Sequence, residues 1–265
     1  MIVGGIDVGS RTMKAVLFSG GKMIRYCVVP TNPDVEDTAA RLMTEMLSYE
    51  DLSFSHLDYL VATGYGRVNI SFAQKTVTEI SCHSRGTNWM FPTARTILDV
   101  GGQDCKAILC GNKGQVENFV INDKCAAGTG RYLERIAMAV GLPLEAIGEI
   151  SLKPINGPEK ISSFCAVFAE ADVIRLVRQG KHLNDILAGA CEAIVSRIVP
   201  LVDRMGLVPE FSISGGVARN IGIVRRLEER FRLKALIAPH PEIIGAIGAA
   251  LFALGYAQRE GGILT

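Results

Sequence analysis

The sequence predicts a duplicated α/β protein whose two halves face each other across a cleft. The main observation is an internal repeat. Residues Ile6–Leu17 (IDVGSRTMKAVL) match Leu98–Leu109 (LDVGGQDCKAIL) without a gap at an offset of 92, pairing Asp7 with Asp99, Gly9 with Gly101 and Lys14 with Lys106. Each copy has the pattern of a strand, a glycine turn and a second strand, because the β-rich runs Ile2–Asp7 and Thr96–Val100 lead into glycine and small polar residues. A further turn signal follows each copy, Gly20-Gly21 and Gly111–Gly114, and predicts third strands at Met23–Val29 and Val116–Ile121.

Between and after the two meanders, apolar spacing predicts helices over Asp37–Leu47, Arg131–Val140, Ala166–Val177, Ile186–Met205 and Ile223–Phe231. Met205-Gly206 is a helix stop, and Val208–Ser214 is a strand ended by Gly215-Gly216. The uncharged stretch Ile243–Gln258 contains GAIGAA and falls short of the roughly 20 apolar residues of a membrane span, so it predicts a buried helix. These elements divide into a first domain over 1–95, completed by the helix 241–258, and a second over 96–240.

Composition narrows the function classes. With 28 Lys and Arg against 27 Asp and Glu, the net charge of +1 gives no basis for a nucleic-acid or acidic-membrane binder. At 48% hydrophobic residues a disordered chain is excluded, and 265 residues can bury a large core. The N-terminus lacks the basic region and cleavage site of a signal peptide, and seven cysteines are an odd number. A cytoplasmic protein with reduced thiols is expected, and a metal or cluster role outranks a disulfide framework. The histidines at 56, 83, 182 and 240 form no ligand pattern and are assigned to surface or packing roles, and Trp89 and Phe91 to the core.

A carboxylate at a strand end before a glycine turn suits nucleotide phosphate chemistry. Asp7 and Asp99 are candidates to hold hydrated Mg²⁺, an ion that keeps much of its water shell. Gly9, Gly101 and Gly102 let backbone N–H groups approach phosphate oxygens. Ser10 and Thr12 offer hydroxyls, Lys14 a point charge, and Gln103 the neutral bidentate amide that orients an attacking water. No GxxxxGK[ST] and no post-strand GxGxxG occurs, so the site is neither a P-loop nor a Rossmann site.

IDVGS, LDVGGQD and SGGVARN together resemble the phosphate-1, phosphate-2 and adenosine motifs of the acetate kinase, sugar kinase, Hsp70 and actin superfamily. The resemblance implies two ribonuclease H-like domains with ATP and Mg²⁺ in the cleft between them. It assigns Gly215, Gly216, Ala218 and Asn220 to the adenosine pocket. Gly128 and Gly130, with Gly245–Ala250, then sit on two connecting helices that cross at a hinge, where small residues permit close sliding contact.

Cys125 in NDKCAAGTGR and Cys165 in SSFCAVFAEAD each precede a helical pattern, with Asn122/Asp123 and Ser162/Ser163 as capping candidates. A helix N-terminus favours thiolate, and two such thiolates are half of a [4Fe–4S] ligand set, which a two-fold dimer would complete. Spacing alone leaves a buried structural role open for both, since no CxxC marks them; the other five cysteines are expected to be structural.

NDKCAAGTGR, the serine-flanked Cys165 with VFAEAD, ATGYGR at 62–67 and SCHSRG at 81–86 resemble one branch of the superfamily over essentially the whole chain. That branch comprises the activators (component A) of 2-hydroxyacyl-CoA dehydratases and the ATPase subunits of benzoyl-CoA reductase. The resemblance implies an ATP-driven one-electron reductase: a homodimer with one [4Fe–4S] cluster bridged by Cys125 and Cys165 and one ATP/ADP site per subunit. It would take its electron from a ferredoxin or flavodoxin and pass it to a partner iron–sulfur protein, a dehydratase component or a double-cubane cluster protein. Two positions depart from the pattern. Arg11 stands where a small hydroxyl residue is usual, bringing a long cation to the nucleotide mouth, and Ala171 stands where serine is frequent. The alternatives are a benzoyl-CoA reductase ATPase subunit, a small-molecule kinase of the same fold and an actin-like assembly ATPase. The kinase would need a general base beyond the two phosphate aspartates, and the sequence shows none.

Overall fold

The structure, a computed structural model, describes residues 1–122 and 126–261. In chain order the first elements are β1 (Ile2–Val8), β2 (Thr12–Ser19), β3 (Lys22–Pro30), α1 (Val35–Ser48), β4 (Tyr59–Thr63), β5 (Lys75–Thr76) and α2 (Glu79–Met90). There follow β6 (Thr96–Val100), β7 (Cys105–Cys110), β8 (Val116–Asn122), α3 (Gly130–Val140), α4 (Ala146–Ser151) and α5 (Ala166–Arg178). The chain continues through α6 (Leu183–Met205), β9 (Phe211–Ser214), α7 (Ile221–Phe231), β10 (Ala235–Leu236) and α8 (Ile244–Gly261).

Two compact units result. One comprises Met1–Thr93, Cys110–Val116 and the segment from Glu242 onward; the other comprises Ala94–Leu109 and Glu117–Pro241. The first is discontinuous because α8 returns to it.

Each unit is built on a five-stranded mixed sheet, ordered β3-β2-β1-β4-β5 in the first and β10-β9-β6-β7-β8 in the second. The orders are the same when read from opposite ends. In the first sheet β1 is antiparallel to β2 and parallel to β4; in the second β6 is antiparallel to β7 and parallel to β9. The repeat seen in the sequence is therefore a repeat of topology.

In the first unit α1 covers one sheet face, laying Leu42, Met43 and Met46 against Ile6, Met13, Leu17 and Leu60. Asp34 starts that helix by accepting a hydrogen bond from Asp37 N, with Glu36 and Asp37 in the positive first turn. Helix α8 packs on β1 at backbone contact. A Cβ on Gly5 would lie 2.2 Å from Ala246 O and Ala250 N, and one on Gly248 would lie 1.8 Å from Cys82 O in α2. The GAIGAA run is thus used within this unit, where a helix meets both a strand and another helix without side chains between them. The helical segment Pro241–Glu260 spans 20 residues, longer than its uncharged core suggests and apolar enough to cross a membrane, but 61% of its apolar 18-residue stretch is buried within the protein.

The second unit's core gathers around α6, whose Ile186, Ala190, Ile194 and Ile198 contribute to one cluster with Leu98, Tyr132, Leu133, Val173, Ile213 and Leu227. Arg226 ties three helices there. Its guanidinium donates to Glu192 of α6, to Ser151 of α4 and to Gly222 O of its own helix.

Some elements differ from the expected ones. The strand predicted from Val208 begins at Phe211, because Val208 exchanges both backbone hydrogen bonds with the Thr96 hydroxyl instead of a ladder partner. Trp89 is 41% exposed at the end of α2, with only an edge contact to Phe18, so it is not the core residue expected. His83 is buried, and its surroundings are described next.

Candidate functional site

The β1–β2 hairpin presents the first carboxylate. Asp7 and Lys14 are cross-strand partners, and the lysine Nζ lies 3.5 Å from Asp7 Oδ2. Lys14, expected to face phosphate, is thus held at the aspartate. The turn is closed by Gly9 N donating to Thr12 O and by Thr31 Oγ1 donating to Gly9 O. A Cβ on Gly9 would meet Thr12 O at 2.8 Å, so this close turn requires glycine. Ser10 and Arg11 are exposed at its tip, and Thr12 is half-buried.

The β6–β7 hairpin repeats the arrangement. Asp99 and Lys106 are cross-strand partners 3.3 Å apart, and Lys106 also reaches Asp104 at 2.7 Å. Ser214 Oγ donates to Asp99 Oδ1 at 3.0 Å. Gln103 is exposed at the hairpin tip. Asp7 and Asp99 are both buried, and each is bonded to a lysine of its own hairpin.

A third element of the repeat was not legible in the sequence. β4 places Thr63 beside Asp7, and β9 places Ser214 beside Asp99. Each is followed by a glycine at positive φ, Gly64 at 88° and Gly215 at 83°, and by a short 3-10 turn. A Cβ on Gly64 would lie 2.5 Å from Asp7 Oδ1, and one on Gly215 would lie 2.9 Å from Asp99 Oδ1. Only glycine combines that backbone with that clearance. ATGYGR and SGGVARN are therefore equivalent loops, one at each carboxylate.

Asp7 has one neighbour that sequence reading missed. A methyl group on Gly245 would lie 3.0 Å from both Asp7 Oδ2 and His83 Nε2, so the imidazole and the carboxylate face the same small gap.

In the second unit several predicted residues come together. Gly130 N donates to Gly101 O and Arg131 N to Gly102 O, both at 2.9 Å, while Thr129 Oγ1 donates to Gly102 O at 3.1 Å. The first turn of α3 thus grips the hairpin loop through its otherwise unpaired N–H groups. Gly128, at φ 92°, lies instead against α6, where a Cβ would be 3.0 Å from Arg197 Cβ. Gly216 faces open space. Ala218 belongs to the hydrophobic core, and the Asn220 side chain caps α7 by accepting from Ile223 N.

Cys165 is half-buried at the N-cap position of α5. The serines before it do not cap that helix: Ser162 N donates to Asp172 Oδ2, and its hydroxyl accepts from Phe164 N. Tyr132 OH of α3 donates to Ser162 O at 2.9 Å, and Arg135 of α3 pairs with Glu170 of α5 at 2.7 Å. Around the cysteine, Phe164, Val167 and Phe168 are 72%, 53% and 59% exposed, and the two phenyl rings stack 6.5 Å apart. Cys125 lies outside the described residues, as does Asp123. Helix α3 starts at Gly130 with Thr129 as its N-cap residue, so Asn122, the last residue of β8, does not cap it.

Of the other cysteines, Cys27 is half-buried on β3 and the rest lie in the core. Cys82, Cys105, Cys110 and Cys191 are buried. Burial pushes the Cys82 thiol up to about 12, and it raises those of Cys105 and Cys191 as well. Among the described residues no group of three His, Cys, Asp or Glu side chains could hold a metal ion.

Two mixed sheets, each with a carboxylate and a lysine on a glycine hairpin, define an ATPase of the actin, Hsp70 and sugar-kinase type of fold. The chain belongs to the BadF/BadG/BcrA/BcrD ATPase family, whose sequence model matches residues 5–253. It is 41% identical over 256 residues to the activator of lactoyl-CoA dehydratase from Anaerotignum propionicum, covering 97% of this chain and 98% of that one. The activating ATPase of (R)-2-hydroxyglutaryl-CoA dehydratase from Acidaminococcus fermentans is 37% identical over 256 residues, with 96% and 98% covered. Among solved structures, the activator of the 2-hydroxyisocaproyl-CoA dehydratase from Clostridium difficile, with bound ADPNP, superposes at a TM-score of 0.93. It is 35% identical, with 100% of this chain and 98% of that chain covered.

Proposed function

We propose that this protein is an ATP-driven one-electron activator of a 2-hydroxyacyl-CoA dehydratase or of a double-cubane cluster protein. In this reading it works as a homodimer, takes its electron from a ferredoxin or flavodoxin, and carries one [4Fe–4S] cluster held by Cys125 and Cys165 of both copies. The observation that carries the reading is the hydrogen-bonded route within the second unit. The loop Gly101-Gly102 is gripped by the first turn of α3, and Tyr132 of that helix holds the carbonyl of Ser162, three residues before Cys165.

The residues fit the implied groups. Each aspartate lies in a recess that a Cβ at Gly64 or Gly215 would fill, which suits a carboxylate that must admit hydrated Mg²⁺ and a phosphate oxygen. Gly9, Gly101 and Gly102 would shape the phosphate turns, Asp7 and Asp99 are the carboxylates that would hold the ion through its waters, and exposed Gln103 would orient the attacking water. Cys165 offers a half-exposed sulfur at a helix start, unlike the buried thiols of Cys82, Cys105, Cys110 and Cys191. When bound, the cluster supplies a one-electron carrier. Phe164, Val167 and Phe168 give this face the exposed apolar surface that a second copy would cover.

ATP is required because of magnitude. Lowering a one-electron potential by about 300 mV takes roughly 7 kcal/mol, whereas a ligand coupling energy of about 1–3 kcal/mol moves it only roughly 40–130 mV. Hydrolysis or partner docking must add to nucleotide binding. Closure around the nucleotide would shift α3 and, through Tyr132 and Arg135, the segment holding Cys165.

The test is iron and acid-labile sulfide per dimer after anaerobic purification, with Cys125→Ser and Cys165→Ser proteins alongside. The expected result is close to four of each per wild-type dimer, lost in either variant. An iron-free dimer that still hydrolyses ATP after attempted reconstitution would overturn the redox reading.

A further inference from the structure

We propose that Asp172 and Tyr132 are positioning residues for Cys165, fixing the place of its sulfur before the cluster binds. This rests on the reading of Cys165 as a cluster ligand given above.

Cys165 has little of its own to fix it. It is half-buried at the N-cap position of α5, where its side chain makes no capping hydrogen bond. Phe164, Val167 and Phe168 beside it are exposed, so packing does not lock this stretch. The place of the sulfur is therefore set by the chain that enters the helix.

That chain is gripped at Ser162, with only Ser163 and Phe164 between it and the cysteine. Ser162 N donates to Asp172 Oδ2 at 3.0 Å, and Ser162 O accepts from the Tyr132 hydroxyl at 2.9 Å. Both backbone polar groups of one residue are thus held, by side chains from two different helices, α5 and α3. The Ser162 hydroxyl then accepts from Phe164 N at 3.3 Å, closing a local turn directly before the cysteine.

Asp172 lies seven positions beyond Cys165, just under two helical turns, so the two share a side of α5. Its side chain leans toward the helix start and meets the incoming chain there. Its other oxygen, Oδ1, accepts from Arg175 at 3.0 Å, which orients the carboxylate. Tyr132 is 1% exposed, and burial raises its phenol, so the hydroxyl stays a donor. The two intervening residues leash Cys165 to this anchor over at most about 10 Å. Partners that orient a metal ligand typically change metal affinity by about 10–100-fold when removed.

The experiment uses the full chain as wild type, Tyr132→Phe, Asp172→Ala and Asp172→Asn. On the anaerobic, cluster-loaded dimer the rate of iron transfer to a chelator is read. On the iron-free protein the rate of Cys165 alkylation by iodoacetamide is read, with Cys105 and Cys191 of the same unit as buried controls. In Asp172→Ala iron release should quicken by about 10–100-fold. Cys165 alkylation should quicken by about 2–10-fold in both Tyr132→Phe and Asp172→Ala, the local opening that one lost hydrogen bond permits, while the controls stay unlabelled. Asp172→Asn, whose amide oxygen can still accept from Ser162 N, should restore most of both rates. Tyr132→Phe removes a single oxygen and decides the matter if Asp172→Ala fails to fold.

Wild-type alkylation and iron-release rates in Tyr132→Phe and Asp172→Ala would overturn the proposal, as would an Asp172→Asn protein no better than Asp172→Ala. Labelling of Cys105 and Cys191 in step with Cys165 would do the same, because it marks a general loosening of the unit. A Cys165→Ser protein that keeps its iron would instead overturn the reading of Cys165 as a ligand, a failure that the alkylation rates keep distinct from a failure of the Ser162 hold.

Discussion

Two glycines in the same helix should respond oppositely to one methyl group. Gly248 and Gly255 both lie within α8, where replacing glycine by alanine favours the helix by about 1 kcal/mol. At Gly255 a Cβ meets nothing within 4 Å, so Gly255→Ala should stabilise by most of that amount. At Gly248 the Cβ would lie 1.8 Å from Cys82 O, 2.5 Å from Cys82 C and 2.7 Å from its Cα. These are backbone atoms of α2, which cannot rotate away, so the two helices must separate. Overpacking of a tight core typically costs about 1–3 kcal/mol, and a backbone-to-backbone clash belongs at the upper end. The net effect of Gly248→Ala is a loss of about 2 kcal/mol, which sets the two variants about 3 kcal/mol apart. Urea unfolding followed by the fluorescence of Trp89 reports on this unit directly, since it is the single tryptophan and lies at the end of α2. With a slope of about 2 kcal/mol/M, the midpoints should differ by about 1–2 M. Coincident midpoints, or a Gly255→Ala protein weakened as much as Gly248→Ala, would refute the packing argument.

Three further outcomes follow from the structure. Gln103→Ala should slow phosphate release by on the order of 10²-fold while leaving iron content unchanged; unchanged turnover would remove Gln103 from the reaction. Alkylation at pH 8 followed by peptide mass analysis should label Cys165 and leave Cys82 unmodified, because a thiol pushed up to about 12 exposes about one thiolate in 10⁴ there. Burial acts to raise the Asp185 carboxyl, but hydrogen bonds from Ile155 N, Asn156 N and the Asn156 amide outweigh it, and the net shift is downward. A lowered folded value stabilises the protein above the unfolded value and ceases to do so as pH falls from about 5 through the folded value. Acid unfolding should therefore be steeper in wild type than in Asp185→Asn, and identical slopes would count against this role.

The parts of the fold legible in sequence are those where apolar residues set the pattern. The twin hairpins announced themselves because β1 and β6 are apolar runs ending in aspartate and glycine. α2 left no such trace. Its buried face is Cys82, His83, Ser84, Gly86 and Thr87, residues that pack through smallness and so show no hydrophobic stripe. The same helix carries His83, so losing the helix meant losing the carboxylate's neighbour. At the site, Asp7, Asp99 and the hairpin glycines were legible because glycine turns after strands are local events. The Thr63-Gly64 and Ser214-Gly215 equivalence was not, since it depends on strand register rather than on shared letters. Ala218 and Asn220 carry local roles that the motif did not announce, packing in the core and capping α7.

The return of α8 to the first unit also sets the order in which the protein is made. Gly5 is translated early, yet the backbone it rests against, Ala246 and Ala250, emerges some 240 residues later. At about 5–20 residues per second, β1 waits roughly 10–50 s on the ribosome before its second face can be covered. The second unit lies wholly inside that interval, and all its strands and helices are synthesised before α8 begins. The younger half of the chain can therefore be folded while the older half is still open.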